Sequence, residues 1–225
     1  MSAPTERGRR KRNDNYTHIN IVMERVKKIV VMAKQVPDTR NVGKDAMTPE
    51  GTVNRAALAA IFNPEDLNAL EMALQIKERM AGSEVYVLTM GPQRASDIIR
   101  EAMFRGADGG YLLSGKEFAG YDTLATSYAL SLALRKIEPD IVVAGRQAID
   151  GDTAQVGPQV AEKLDLPQVT YAEELIDIND TEITIKRRLE RGSEVVVSPL
   201  PALITVNSSA KECRPRNAKR VMKYK

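Results

Sequence analysis

DIVVAGRQAIDGDTAQ, residues 140–155, decides most of the fold. Its first half, DIVVAG at 140–145, has no polar residue after Asp140 and reads as a strand without a polar face. Such a strand is covered on both sides. Its second half, GRQAIDGDTAQ at 145–155, is a loop rich in glycine and aspartate that leads into a helix. On the N-terminal side the same alternation repeats. IVVMAK at 29–34, EVYVLTM at 84–90 and GYLLS at 110–114 are strand-length apolar runs, with helical patterns between them. NPEDLNALEMALQIKERM at 63–80 is expected to be a helix, with Leu67, Leu70, Leu74 and the aliphatic stem of Lys77 on one face. Asn63 is expected to cap it, Pro64 to take the first helical position, and Asp66 to reach back to the cap as a capping-box acid. A helix over 93–105, after the Gly91–Pro92 turn, brings Ile98, Ala102 and Arg105 together; another, capped by Asp122, runs to about Ile137.

On the C-terminal side the pattern changes after residue 168. LIDI, TEITIKRRL and EVVVS are punctuated by Asn179 and Asp180 and by Arg191, Gly192 and Ser193, which predicts antiparallel strands joined by tight turns. ALITVN at 202–207 is expected to return to the main sheet. The fold predicted is α/β: a mainly parallel, doubly wound (Rossmann-like) sheet with helices on both faces and an antiparallel hairpin excursion near the C-terminus. The expected organisation is a disordered basic extension over 1–26, one α/β domain over 27–210, and a basic C-terminal arm over 211–225.

The chain has 225 residues, 43% hydrophobic and 28% charged, which excludes disorder throughout. Its longest apolar runs, such as IVVMA at 29–33, fall far short of the ~18 residues a membrane span requires, and no secretory signal heads the chain. A single cysteine, Cys213, makes no intrachain disulfide, and a reducing, cytoplasmic location is expected. The net charge of +3 is unevenly placed. Residues 1–28 carry +5, residues 211–225 carry +6, and the 182 residues between them carry −8. That distribution excludes a basic nucleic-acid-binding domain. His18 is the only histidine, which argues against a histidine triad or a histidine-ligated metal, and no metal-ligand spacing occurs.

In open α/β sheets ligands gather at the carboxyl ends of the strands. Four segments fall there: Met32–Pro37, Asn63–Asp66, Met90–Gln93 and Gly145–Gln155. The last is the richest, with Gly145 and Gly151 allowing close backbone approach and Asp150, Asp152, Gln147 and Gln155 offering hydrogen bonds. Thr153 and the free amides at the start of the following helix suit a phosphate. Two readings stand side by side: ligand binding, or Asp152 capping the helix while Asp150 holds the loop. Neither a Walker A sequence nor GxGxxG after a strand is present, nor a nucleophile with its base or paired catalytic acids. The sequence is that of a holder of a cofactor.

KQVPDT at 34–39, NPEDLNALEMALQIKE at 63–78, the Gly91–Pro92 turn and above all AGRQAIDGDTAQVGPQVAEKL at 144–164 resemble the beta subunit of electron transfer flavoproteins. The resemblance runs from about Lys27 to Arg216. It implies a heterodimer with an alpha subunit that carries the redox FAD, the beta subunit of common members holding a structural AMP. Arg146 and Gly151, with DTLATSY at 122–128, look like the electron-bifurcating branch, where a second FAD replaces AMP and accepts hydride from NADH. The resemblance then implies electron relay to ferredoxin and to the alpha-subunit FAD, which feeds an acyl-CoA or hydroxy-acid dehydrogenase. It places the cofactor against Met32, Asn63, Asp66, Met90, Gly145, Arg146, Gln147, Ala148, Ile149, Asp150, Gly151, Asp152, Thr153 and Gln155. Gly91, Pro92 and Gln93 are the expected edge for NADH. Arg146 either stabilises negative charge on a reduced flavin or pairs with a phosphate or carboxylate. The rival readings are a structural AMP-binding subunit and an ATP-binding α/β domain that shares only the fold. Family members generally continue past VMKYK into an arm that packs on the partner, and residues 1–26 match no family segment, so a truncated C-terminus is expected.

Overall fold

The computed structural model describes residues 27–38 and 58–225. The extension over 1–26 and Thr39 lie outside the described residues. The chain forms strands β1 (Lys28–Met32), β2 (Gln35–Pro37) and β3 (Ala60–Phe62), helix α1 (Pro64–Arg79), β4 (Glu84–Met90), α2 (Ser96–Arg105) and β5 (Gly109–Leu113). It continues through α3 (Thr123–Ile137), β6 (Ile141–Gly145), α4 (Val156–Leu164), β7 (Gln168–Ile178), β8 (Glu182–Leu189), β9 (Gly192–Pro199), β10 (Ala202–Val206) and α5 (Ala218–Tyr224). One eight-stranded sheet has the order β5-β4-β1-β6-β10-β7-β8-β9. The pairings from β5 through to β7 are parallel, and β7-β8-β9 are antiparallel. The doubly wound α/β fold expected from the apolar runs is therefore present.

The two-sided burial of those runs is visible residue by residue. In β1, Ile29 and Val31 belong to one core with Ala69, Leu70 and Ile76 of α1 and Ile98 of α2. Val30 and Met32 belong to the other, with Leu130 and Leu134 of α3 and Val160 of α4. β6 divides in the same way, Ile141 and Val143 to one side and Val142 and Ala144 to the other. Each such side chain contributes roughly 1.5–3 kcal/mol by leaving water, so a polar residue at any inner position of either strand is strongly disfavoured.

Three local expectations change. The first residues of α1 do not form a capping box: Asn63 makes no side-chain cap bond, and the Asp66 carboxylate accepts from Lys34 N and Gly145 N instead. Tertiary donors outcompete the local one. β7 begins at Gln168, seven residues before LIDI, because it pairs in parallel with β10 before it turns to β8, and the antiparallel strands extend the main sheet itself. The small antiparallel pair β2-β3 was not foreseen, each strand being only three residues long.

The basic C-terminal arm is bound to its own chain. Arg214 donates through its backbone N and its guanidinium to Glu71, Arg216 pairs with Glu101, and Arg220 donates to the carbonyls of Met103 and Ala107. Burial would raise the Glu71 carboxyl, but the Arg214 bonds and charge outweigh it and hold it below the ordinary value. No helix among the described residues is long and apolar enough to cross a membrane.

Candidate functional site

The sheet order fixes where a crevice opens. From β1 the chain moves outward to β4 and β5, then returns to the other side of β1 as β6. The carboxyl ends of β1 and β6 are thus a topological switch point, where the helices that follow the strands diverge to opposite faces. A cavity of about 340 Å³ lies there. Met32, Leu88 and Ala144, which sit on neighbouring strands at one level of the sheet, line it with Met90 and Leu130 as an apolar floor. Its rim is polar: Lys34, Asp66, Asp122, Thr123, Thr126, Gln147, Asp152, Thr153 and Gln155.

The loop after β6 is shaped by the start of α1. Asn63 Nδ2 donates to Gln147 O at 2.8 Å while its Oδ1 accepts from Ile149 N at 3.1 Å. Glu65 accepts from Arg146 Nη2 at 2.9 Å and Nε at 3.3 Å, and from Gln147 N at 3.1 Å. Asp66 joins the ends of β1 and β6 through Lys34 N at 2.8 Å and Gly145 N at 3.1 Å. All three side chains are buried, so the loop is read by the start of a helix 79 to 86 residues earlier. Burial pushes the Asp66 carboxyl up to about 7 against the pull of those N–H donors.

Gly145 is required by this packing. A Cβ there would stand 2.3 Å from Asp66 Oδ1 and 2.8 Å from the backbone of α1. Gly157 allows α4 to approach β10 in the same way, since a Cβ would meet Thr205 Cγ2 at 2.7 Å. At Gly151 a Cβ would meet nothing within 4 Å.

The structure brings Met32, Asp66, Met90, Gly145, Arg146, Gln147, Ala148, Gly151, Asp152, Thr153 and Gln155 to the cavity wall. Asn63, Ile149 and Asp150 support the loop without lining the cavity, and Gly91, Pro92 and Gln93 also lie off it. Asp152 does not cap α4; it accepts from Gln147 Nε2 at 2.8 Å. Asp150 is turned onto Lys34 Nζ, with contacts of 2.7 and 2.9 Å. Arg146 is forked onto Glu65 and lies 5.7 Å from the ring centroid of Tyr171, a residue held at φ 58°. Sequence reasoning named Lys34 only within the segment Met32–Pro37 and missed Phe118, Tyr121, Thr123, Thr126 and Leu130 as lining residues. A signal existed for three of them: Lys34 opens KQVPDT, and Thr123 and Thr126 lie in DTLATSY.

The donor set fits an adenine-containing cofactor. The floor accepts a flat apolar ring, and Val156 and Gly157 bring first-turn amides without helical acceptors to the wall. Thr153 adds a hydroxyl. No cluster of metal-ligating side chains occurs among the described residues.

An α/β domain with a nucleotide-sized crevice at its switch point is the class that this geometry defines. The electron transfer flavoprotein domain matches residues 50–224, and the chain belongs to that family. It is 51% identical to the caffeyl-CoA reductase-Etf complex subunit CarD of Acetobacterium woodii, over 79% of this chain and 67% of that one. It is 50% identical to the acryloyl-CoA reductase electron transfer subunit gamma of Anaerotignum propionicum, over 79% of this chain and 66% of that one. The electron transfer flavoprotein subunit beta of Thermoanaerobacterium thermosaccharolyticum is likewise 50% identical, with the same 79% and 66% coverage. The chain spans about two thirds of the length of these curated relatives.

Proposed function

We propose that this chain is the cofactor-holding beta subunit of a heterodimeric, cytoplasmic electron transfer flavoprotein, with FAD in the cavity at the switch point. When bound, the flavin supplies the redox chemistry, taking electrons from NADH and passing them singly to ferredoxin and to the FAD of the alpha subunit. That second flavin serves an acyl-CoA or hydroxy-acid dehydrogenase. The chain's residues do the holding. Met32, Leu88 and Ala144 offer an apolar seat, and the start of α4 offers amides to phosphate. Arg146 fixes the loop through Glu65, because withdrawing it would leave a buried carboxylate without its cationic partner, held only by Gln147 N.

The observation that carries the reading is the placement of this seat and these amides around one crevice at the switch point. Two further facts support FAD and an acyl-CoA-linked partner: the open space beside Gly151, and the names of relatives that serve caffeyl-CoA and acryloyl-CoA reductases. One observation favours a second reading, structural AMP. The cavity, about 340 Å³, is near the lower end of the roughly 300–1,000 Å³ range of ligand sites, which suits a mononucleotide.

Releasing and counting the cofactors of the purified heterodimer separates the two. Two FAD per dimer is the expected result, and one FAD with one AMP gives the site to AMP. An anaerobic NADH titration is expected to bleach flavin absorbance; an unchanged spectrum refutes the NADH-oxidising role.

A further inference from the structure

The cavity is lined by two cationic side chains among the described residues, and they are held in different ways. Arg146 is locked. Its guanidinium makes two contacts to Glu65, whose side chain is 8% exposed, and faces Tyr171 on its other side. Lys34 is anchored at its root and exchangeable at its tip. Its backbone N donates to Asp66, its carbonyl accepts from Asn63 N, and its side chain is 50% exposed where Nζ meets Asp150. A lysine is a point charge on a flexible stem, with no fork geometry to hold it to one partner.

The anionic groups on the wall make that lysine matter. Asp122 and Asp152 line the cavity as carboxylates, beside Asp66, whose carboxyl is pushed by burial up to about 7. Asp122 accepts from Ala125 N as the cap of α3, and Asp152 accepts from Gln147, so each carboxylate is engaged in place. A phosphate entering this wall meets first-turn amides and a surplus of carboxylates. It needs a mobile counter-charge, and among the described residues Lys34 is the one that lines the cavity without being locked.

Resting on the reading that the cavity takes an adenine nucleotide, we infer that Lys34 is the phosphate-recognising side chain of the site and that Asp150 masks it until the nucleotide arrives. The ammonium leaves Asp150 for a phosphate oxygen, and the Asp150 carboxylate, whose side chain is 10% exposed beside Lys34, rotates outward into solvent. Asp150 is therefore a competitor of the ligand and not a ligand contact. The chemistry recognised is a phosphate ester of an adenine nucleotide, shared by AMP and by the diphosphate of FAD.

Competition gives the two substitutions opposite signs. Calorimetric titration of AMP into the full chain, freed of endogenous cofactor, reads it directly. Lys34→Gln is expected to weaken AMP at least about fivefold and to flatten the dependence of Kd on salt. Asp150→Asn is expected to tighten AMP at least about twofold, and the double variant to behave as Lys34→Gln alone. Asp150→Ser serves if the asparagine variant does not fold. Weaker or unchanged binding on neutralising Asp150, or an unchanged Kd for Lys34→Gln, overturns the inference while leaving the site reading intact. If the unaltered chain binds no AMP and yields no adenine cofactor, the site reading falls and this one falls with it.

Discussion

A buried carboxylate that accepts from backbone N–H groups is an anion with incomplete compensation, and Asp66 is in that position in the first turn of α1. Its pKa rises from 3.8 to about 7 on folding, chiefly through burial. Between those values the folded chain holds a proton that the unfolded chain has lost. The stabilisation from Asp66 is thus fully present below pH 3.8 and is lost as pH rises through about 7, on the order of a few kcal/mol at ~1.4 kcal/mol per unit. Urea denaturation from pH 5 to 8 should show that decline in the native chain and not in Asp66→Asn, which should itself be about 1–3 kcal/mol less stable at pH 5 because its amide NH₂ opposes one of the two donors. The neighbouring glycines offer a second residue-scale test. Gly145→Ala should cost about 1–3 kcal/mol or more, since its Cβ meets backbone that cannot swing aside. Gly151→Ala should stay within about 0.5 kcal/mol of the native chain in the absence of nucleotide, and thermal melts of the two variants side by side check both.

At the scale of elements, the strands were legible because burial on both faces leaves an uninterrupted apolar signature, as in IVVM and IVVA. The helices were legible where the cap was local, as with Asp122 accepting from Ala125 N. What stayed hidden was every side chain whose partner lies far along the chain. Asn63 and Asp66 carry the residue types of a capping box, yet their acceptors and donors are spent on residues 34 and 145–149, and no local pattern records that. The +6 arm was equally opaque, because its counter-charges Glu71 and Glu101 sit on α1 and α2. Those pairs make a prediction. Arg214→Ala should cost about 3 kcal/mol, the low end for breaking a buried pair. Arg214 is 31% exposed, and Lys211 Nζ remains 3.7 Å from Glu71. Because the Glu71 pKa is depressed in the fold, its stabilisation is present above 4.5 and lost as pH falls, so the variant should also be less sensitive to acid. Denaturation at pH 4 and 7, with trypsin cleavage within 211–220 as a second readout, tests this.

For the molecule as a whole, the site is an outcome of strand order. The switch point was foreseen only as a class of location, since which strands flank β1 depends on pairings between residues 56 and 112 positions apart. A ligand seated there should tie α1, β1, β6 and α4 together and leave β8-β9 untouched. AMP at a hundredfold excess over Kd should add about 2.7 kcal/mol of stability and slow amide exchange most over 146–157, with exchange in 182–199 slowed only where it proceeds through global unfolding. The same strand order bears on how the protein is made. β10 is the last strand of the sheet to be synthesised, yet it lies inside, between β6 and β7. At translation speeds of ~5–20 residues per second, the ribosome needs several seconds after Gly145 to deliver Val206. Throughout that interval the nascent chain holds Ile141–Gly145, apolar on both faces, without its second neighbour. An unpaired edge of that kind is a template for other chains, so overexpression is expected to punish this protein through a fully buried strand and not through its exposed hairpin.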